Sequence, residues 1–173
     1  MKKSVWLGSI IVLTLLFIIV LTPLSTSKER TSNKFAEHLF NYSLPPETSL
    51  VAKHQSNGKN FVDGGGSGGY WNVAAVMELS SKLTRNEILA YYQNVGSFPY
   101  PKGNQRGVPL ELYFKEESRR VERSDGFYYR SQTGEIRTVH SYPLDTNSVT
   151  LIKGETKYIL QLVSGFDYFL NFN

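Results

Sequence analysis

The sequence contains no cysteine. This absence excludes disulfide bonds, a thiol nucleophile and metal sites with cysteine ligands. It also excludes attachment to a membrane through a lipidated N-terminal cysteine. A domain without disulfides has to be held together by an apolar core, and 11 Tyr, 10 Phe and 2 Trp residues supply large side chains for one. This composition is not that of a disordered chain.

A strong charge of either sign is also missing. The chain has 19 basic and 15 acidic residues, and Lys2 and Lys3 account for two of the basic ones. From residue 4 onward the two signs are almost balanced, so the high pI of 9.2 does not indicate a nucleic-acid-binding protein. No internal repeat is present, and about 145 residues after the N-terminal region are enough for one domain with one core.

The longest segment without any charge includes the apolar run Val5–Leu24. About 20 apolar residues are needed to cross a hydrocarbon core about 30 Å thick. We therefore predict a transmembrane anchor, with Trp6 at the interface and Pro23 where the chain leaves the helix. The residues of the predicted anchor include Val5, Trp6, Leu13, Phe17 and Leu24.

A cleaved signal peptide is the alternative interpretation, with secretion after cleavage near Ser27. The apolar run is longer than the roughly 7–15 residues usual for a signal peptide, and no Ala-x-Ala site follows it. We expect a single pass with the N-terminus in the cytoplasm and the C-terminal domain outside the cell membrane. The predicted organisation is a cytoplasmic end (1–4), an anchor (5–24), a tether or helix end (25–34) and an extracytoplasmic domain (35–173).

The pattern of the remaining chain predicts an α+β domain. Apolar residues alternate in Tyr70–Ser80, which is typical of a half-buried strand. A helix is the alternative, because Ala74, Ala75, Met77 and Glu78 favour one, but the alternation makes a strand the preferred prediction. Thr84 followed by Glu87 is a capping box, which predicts a helix over Thr84–Val95. The further predicted strands are Thr48–Gln55, Pro109–Glu117, Phe127–Arg130, Glu135–Tyr142, Val149–Lys153 and Thr156–Val163. Their short connections favour a mostly antiparallel sheet with the helix packed on one face, as a two-layer fold.

The glycine-rich segment Asp63–Gly69 contains two well-known patterns. Gly64-x-Gly66-x-x-Gly69 matches the dinucleotide fingerprint, but that site needs a helix after the glycines, and here a strand is predicted. Gly65-x-Ser67-x-Gly69 matches a nucleophile elbow, which would need a later acid and histidine such as Asp125 and His140. We interpret the segment as a loop, through which the backbone can also approach a ligand.

The segment from Arg119 to Arg130 mixes basic and aromatic residues. Such a segment could contact an anionic polymer or lipid headgroups, although Glu116, Glu117, Glu122 and Asp125 dilute the charge. A solvated charged hairpin is the simpler alternative. The three histidines are far apart, so no metal site or cofactor is predicted. The candidate contact residues for a ligand or partner are Ser67, Gly68, Tyr70, Arg119, Arg120 and Arg123.

The segment Leu44–Tyr92 combines Leu44-Pro45-Pro46-Glu47-Thr48, a strand, the glycine run, a second strand and Leu83-Thr84-Arg85-Asn86-Glu87-Ile88. This order resembles small exported or membrane-anchored proteins of Gram-positive bacteria. The resemblance supports the strand at Tyr70–Ser80 and implies no catalytic residue. We therefore expect a non-enzymatic binding or interaction module at the cell envelope. A small envelope hydrolase and a sensor or regulatory domain of a membrane complex are the alternatives.

Overall fold

The computed structural model describes residues 27–59, 70–102, 107–143 and 154–167. The predicted anchor Val5–Leu24, the glycine run Asp63–Gly69 and the predicted strand Val149–Lys153 lie outside the described residues. Within the described ranges, no helix combines the length and the apolar character that crossing a membrane requires. The anchor and its orientation therefore stay predictions.

The described part of the domain contains two α-helices and six strands, and its main sheet is entirely antiparallel, which confirms the predicted α+β class. The main sheet has the order β1-β2-β6-β3, and β4 and β5 form a separate two-stranded ribbon. The elements in chain order are α1 (27–40), β1 (Thr48–Lys59), β2 (Tyr70–Ser81), α2 (Arg85–Tyr92), β3 (Glu111–Phe114), β4 (Ser118–Arg123), β5 (Gly126–Ser131) and β6 (Thr156–Asp167). Short 3₁₀ turns cover Lys115–Glu117 and Val139–Ser141.

Helix α2 begins as the sequence predicts. The backbone N–H of Glu87 donates to Thr84 Oγ1 at 3.3 Å, and Glu87 Oε2 accepts from the Thr84 backbone N–H at 2.8 Å. The helix ends at Tyr92, three residues before the predicted end at Val95. Helix α1 includes residues 27–34 of the predicted tether, and Ser32 within it is buried. Both helices contribute to the apolar core on one face of the sheet, here called the helix face.

The opposite face of the sheet is covered as well, so the prediction of two layers is too simple. Val73, Ala75 and Met77 of β2 belong to the helix-face core, as the alternation predicts. Ala74 and Val76 between them are also fully buried, because the β4–β5 ribbon packs over them. Strand β2 is therefore a central strand buried on both sides rather than a half-buried one. We call this second face the ribbon face.

The ribbon crosses the strands of the sheet, and the backbone edge of β5 packs against the sheet. The Phe127 N–H donates to Ser56 Oγ on β1 at 3.0 Å, and the Tyr129 N–H donates to Gln161 Oε1 on β6 at 2.7 Å. The Gln161 amide also donates to the Tyr129 carbonyl at 3.2 Å, so this side chain satisfies the edge of β5 as a neighbouring strand would. Gly126 allows the approach, since its φ is +135° and a Cβ there would clash with Ser56.

Because successive strand residues point to opposite sides, the upright ribbon has two different sides. We name them by their central tyrosines. The Tyr128 side carries Arg119, Val121, Arg123, Tyr128 and Arg130, and the Tyr129 side carries Arg120, Glu122, Phe127 and Tyr129.

Candidate functional site

The register of the ribbon separates the three arginines that the sequence groups together. Arg119 lies opposite Arg130, and Arg123 lies opposite Gly126, so both belong to the Tyr128 side. Arg120 lies opposite Tyr129 on the other side. A single ligand lying against the Tyr128 side of the ribbon therefore meets two of the three predicted arginines, Arg119 and Arg123.

Aromatic rings of the ribbon hold several guanidinium groups. Arg123 Cζ lies 5.8 Å from the centre of the Tyr128 ring, and its Nη2 donates to the Tyr128 hydroxyl at 3.2 Å. Arg130 Cζ lies 4.7 Å from the same ring. On the other side, Arg120 Cζ lies 3.6 Å from the Phe127 ring centre, and Arg120 Nε pairs with Glu122 at 2.5 Å. Such contacts orient a charged group that would otherwise be flexible.

The structure places Tyr70 on the same side as Arg119 and Arg123. Tyr70 and Ala74 share the ribbon face of β2, and Ala74 packs against Tyr128. Tyr70 lies beyond Ala74 along β2, and it remains 50% exposed. Three of the six predicted contact residues thus share the Tyr128 side. Ser67 and Gly68, which precede Tyr70 in the chain, lie outside the described residues.

A half-exposed polar network lies on the Tyr129 side. The Tyr129 hydroxyl donates to Glu78 Oε1 at 2.8 Å, and Lys115 Nζ donates to Glu78 Oε2 at 3.3 Å and to the Tyr129 hydroxyl at 3.1 Å. His54 Nε2 lies 3.9 Å from Glu78 Oε1. No spacing in the sequence predicts that these residues meet, because they come from β1, β2, β5 and the turn after β3.

The charges within this network stabilise one another. Burial raises the pKa of Glu78, but the hydrogen bonds from Tyr129 and Lys115 outweigh it and bring the pKa below its ordinary value. The same contacts outweigh burial at Lys115 and raise its pKa. Burial, followed by the bond to Glu78, raises the pKa of Tyr129. Near neutral pH the network therefore holds a carboxylate, an ammonium and a neutral phenol, and none of these three is poised as a general base.

A second polar network is buried between the ribbon and the sheet. Glu111 Oε2 accepts hydrogen bonds from the Tyr113 hydroxyl (2.6 Å), the Gln161 amide (2.7 Å) and Arg130 Nη1 (3.3 Å). Burial raises the pKa of Glu111 despite these three partners. The alternation in the sequence correctly predicts that Glu111 and the core residue Leu112 point to different faces of the sheet. It does not show that the ribbon covers Glu111. The one sequence signal was Gln161, a polar residue within the apolar run Tyr158–Val163.

Of the residues considered for a hydrolase, Asp125 and His140 are not brought together, and Ser67 lies outside the described residues. Asp125 lies at the tip of the ribbon against Gly58 of β1, on the ribbon face. His140 lies in the turn Val139–Ser141, whose Val139 packs into the core of the helix face. The sheet therefore separates this acid from this histidine. Among the described residues, no group of three or more His, Asp or Glu side chains could hold a metal ion.

No protein-family model matches the chain, and comparisons with curated proteins and with solved structures find no significant match.

Proposed function

We propose that the protein is a membrane-anchored, extracytoplasmic binding module that holds an anionic polymer of the cell envelope against the Tyr128 side of its ribbon. The observation that carries this proposal is the arrangement of Arg119, Arg123 and Tyr70 on one side of a ribbon that is fixed to the sheet. Guanidinium groups suit phosphate and carboxylate groups because they stay charged and can donate two parallel hydrogen bonds.

The structure also removes much of the charge dilution seen in the sequence. On the Tyr128 side, β4 contributes Arg119, Val121 and Arg123 and no carboxylate, because Glu122 points to the Tyr129 side and pairs with Arg120. Glu117 is held by Arg137 Nη1 at 3.4 Å and by Arg85. Glu117 and Glu122 thus have basic partners of their own, other than the two arginines of the proposed surface.

Binding rather than catalysis is favoured by the two polar networks. In each of them the acidic, basic and tyrosine groups bind one another, so most of their hydrogen-bonding capacity is already used within the fold. The predicted anchor Val5–Leu24 would keep the domain near the membrane surface. That position raises the effective concentration of the domain toward any polymer attached there, so a modest intrinsic affinity would be sufficient.

The binding part of the proposal is tested with the full chain in detergent and long-chain polyphosphate as the anionic probe. We expect the double substitution Arg119→Glu and Arg123→Glu to weaken binding by about tenfold or more, since it removes two phosphate contacts and adds repulsion. The matched control is Lys34→Glu with Lys82→Glu, which makes the same charge change at two exposed residues outside the ribbon. Equal losses in both double variants, with unchanged circular dichroism, would contradict a localised site.

The topology is tested separately by protease treatment of intact cells. The proposal predicts that external protease removes the domain after residue 27 while the cells remain intact. Protection of the domain in intact cells, with digestion after lysis, would refute the extracytoplasmic location.

A further inference from the structure

A cleft of about 330 Å³ opens on the Tyr129 side of the ribbon, where the ribbon leaves the ends of β2 and β6 uncovered. We propose that this cleft binds a zwitterionic α-amino acid or short peptide that carries an apolar side chain. The volume lies at the lower end of the range typical of small-molecule sites, which is about 300–1,000 Å³. The residues that carry the argument are Val51, Ser80, Lys115, Glu155, Lys157 and Ile159.

The floor and one end of the cleft are apolar. Ile159 is buried in the floor, and it belongs to the cluster that packs the ribbon on the sheet. Val51 lines the cleft from β1, where a register shift between Leu50 and Ala52 leaves it without a partner in the pairing with β2. Its side chain is 62% exposed. An apolar group of a ligand lying over the floor would cover Val51 and remove its exposed surface from water.

Two opposite charges at the cleft remain available to a ligand. Glu155 Oε2 accepts from Ser80 Oγ at 2.6 Å, which leaves its second oxygen to accept from an ammonium. Lys157 is exposed and forms no ion pair with any described residue, Glu155 included. A ligand with an ammonium at one end and a carboxylate at the other can therefore engage both residues at once.

The wall of the cleft is fixed in place by the network around Tyr129. Lys115 uses two of its three N–H groups on Glu78 and Tyr129, so one N–H remains to support the carboxylate end of a ligand. The raised pKa of Lys115 keeps it protonated. Because the wall is already ordered, binding does not have to immobilise this lysine again.

This site is independent of the proposed polymer surface, since the cleft is on the Tyr129 side and the polymer surface is on the Tyr128 side. The two proposals share no residue. Loss of binding to polyphosphate without loss of amino-acid binding, or the reverse, would therefore assign the failure to one of them.

The test is titration calorimetry on the detergent-solubilised full chain with L-leucine and the dipeptide Leu-Leu. We expect saturable binding of at least one of them, and about tenfold weaker binding of the matching N-acetylated and C-amidated compounds, because each lacks one charged contact. Lys157→Met should weaken the zwitterion about tenfold while leaving the amide unchanged. Glu155→Gln should also weaken binding of the zwitterion, but it should leave binding of the N-acetyl compound unchanged.

Lys82→Met is the control, since Lys82 is also exposed and lies outside the cleft. It should leave all affinities unchanged. All three substitutions are at exposed residues, so loss of folding is not expected to obscure the result. Absence of saturable binding of both compounds would overturn the proposal. Binding that is insensitive to capping of the ligand and to both cleft substitutions would overturn it as well.

Discussion

The two polar networks beneath the ribbon are built from the same types of residue and behave in opposite ways. One combines Glu111, Tyr113 and Arg130, and the other combines Glu78, Tyr129 and Lys115. Glu111 is 5% exposed, and burial raises its pKa. The Glu78 side chain is 23% exposed, and its partners lower its pKa despite burial. In networks of similar composition, access to water therefore decides whether the pKa of the carboxyl is raised or lowered.

This contrast separates a structural network from one that is available to a ligand. The Glu111 network joins β3, β5 and β6 and fixes the ribbon on the sheet, because Gln161 binds both Glu111 and the Tyr129 backbone. The Glu78 network lies at the opening beside the ribbon, and both Glu78 and Lys115 line the cleft. Four comparisons test this division, in order of decreasing expected effect.

The first comparison removes a buried and an exposed arginine at paired positions of the ribbon. Arg130→Met takes the cation away from the buried Glu111, and it should lower the free energy of unfolding by about 3–5 kcal/mol. Arg119→Met, directly across the ribbon at an exposed position, should change it by less than about 0.5 kcal/mol. Urea unfolding of the solubilised chain measures both, and similar losses for the two variants would remove the distinction.

The second comparison concerns Gln161, whose side chain makes the hydrogen bonds to the edge of β5 that a neighbouring strand would otherwise make. Gln161→Leu leaves the buried N–H and carbonyl of Tyr129 without their partner, which should cost about 2–4 kcal/mol in the free energy of unfolding. Gln132→Leu is the control, because Gln132 is exposed and its amide donates to an exposed carbonyl of Glu116. A loss below about 1 kcal/mol for Gln161→Leu would mean that the ribbon is not held by this pairing.

The third comparison removes one hydroxyl from each network. Tyr113→Phe leaves the buried Glu111 without its shortest hydrogen bond, and we expect a loss of about 2 kcal/mol in the free energy of unfolding. Tyr129→Phe should cost only about 1 kcal/mol, since water can replace the hydroxyl beside Glu78. The reverse order in urea unfolding would contradict the proposed division into a structural and a ligand-accessible network.

The fourth comparison uses pH. The raised pKa of Glu111 means that the folded state binds more protons, so this group lowers stability as pH rises from its unfolded pKa through its folded pKa. The lowered pKa of Glu78 has the opposite sign, so stability is lost as pH falls through its folded value. Glu78→Gln should flatten the acid side of a plot of unfolding free energy against pH, and Glu111→Gln should flatten the fall above the ordinary glutamate pKa. Equal effects of both substitutions on the same side of the plot would be inconsistent with these directions.

Local patterns in the sequence predict part of this structure well. The capping box of Thr84 and Glu87 is read from residues close together in the chain, and it is confirmed. The alternation in β2 is equally local, and it correctly predicts a strand and the residues that face the helices. The second covering layer could not be predicted in this way. It depends on Ser56 and Gln161 meeting the edge of β5, and these contacts join residues 71 and 32 positions apart.

The candidate site also depends on contacts between residues that are distant in the sequence. The sequence identifies Arg119, Arg120 and Arg123 as a basic cluster, but only the pairing register of β4 with β5 shows which of them share a side. Tyr70 joins Arg119 and Arg123 because β2 places it on the ribbon face. The network of Glu78, Lys115 and Tyr129 was missed, because no spacing in the chain connects its members.

Binding of an anionic polymer to the Tyr128 side of the ribbon can be measured through its salt dependence. The quantity is the slope of log affinity against log salt concentration for polyphosphate binding by the full chain. We expect Arg119→Gln and Arg123→Gln each to reduce the steepness of that slope by about 0.7–0.9, which corresponds to one lost phosphate contact, and we expect Arg120→Gln to leave it unchanged. An equal reduction by Arg120→Gln, or a slope that none of the three substitutions alters, would contradict binding at the Tyr128 side.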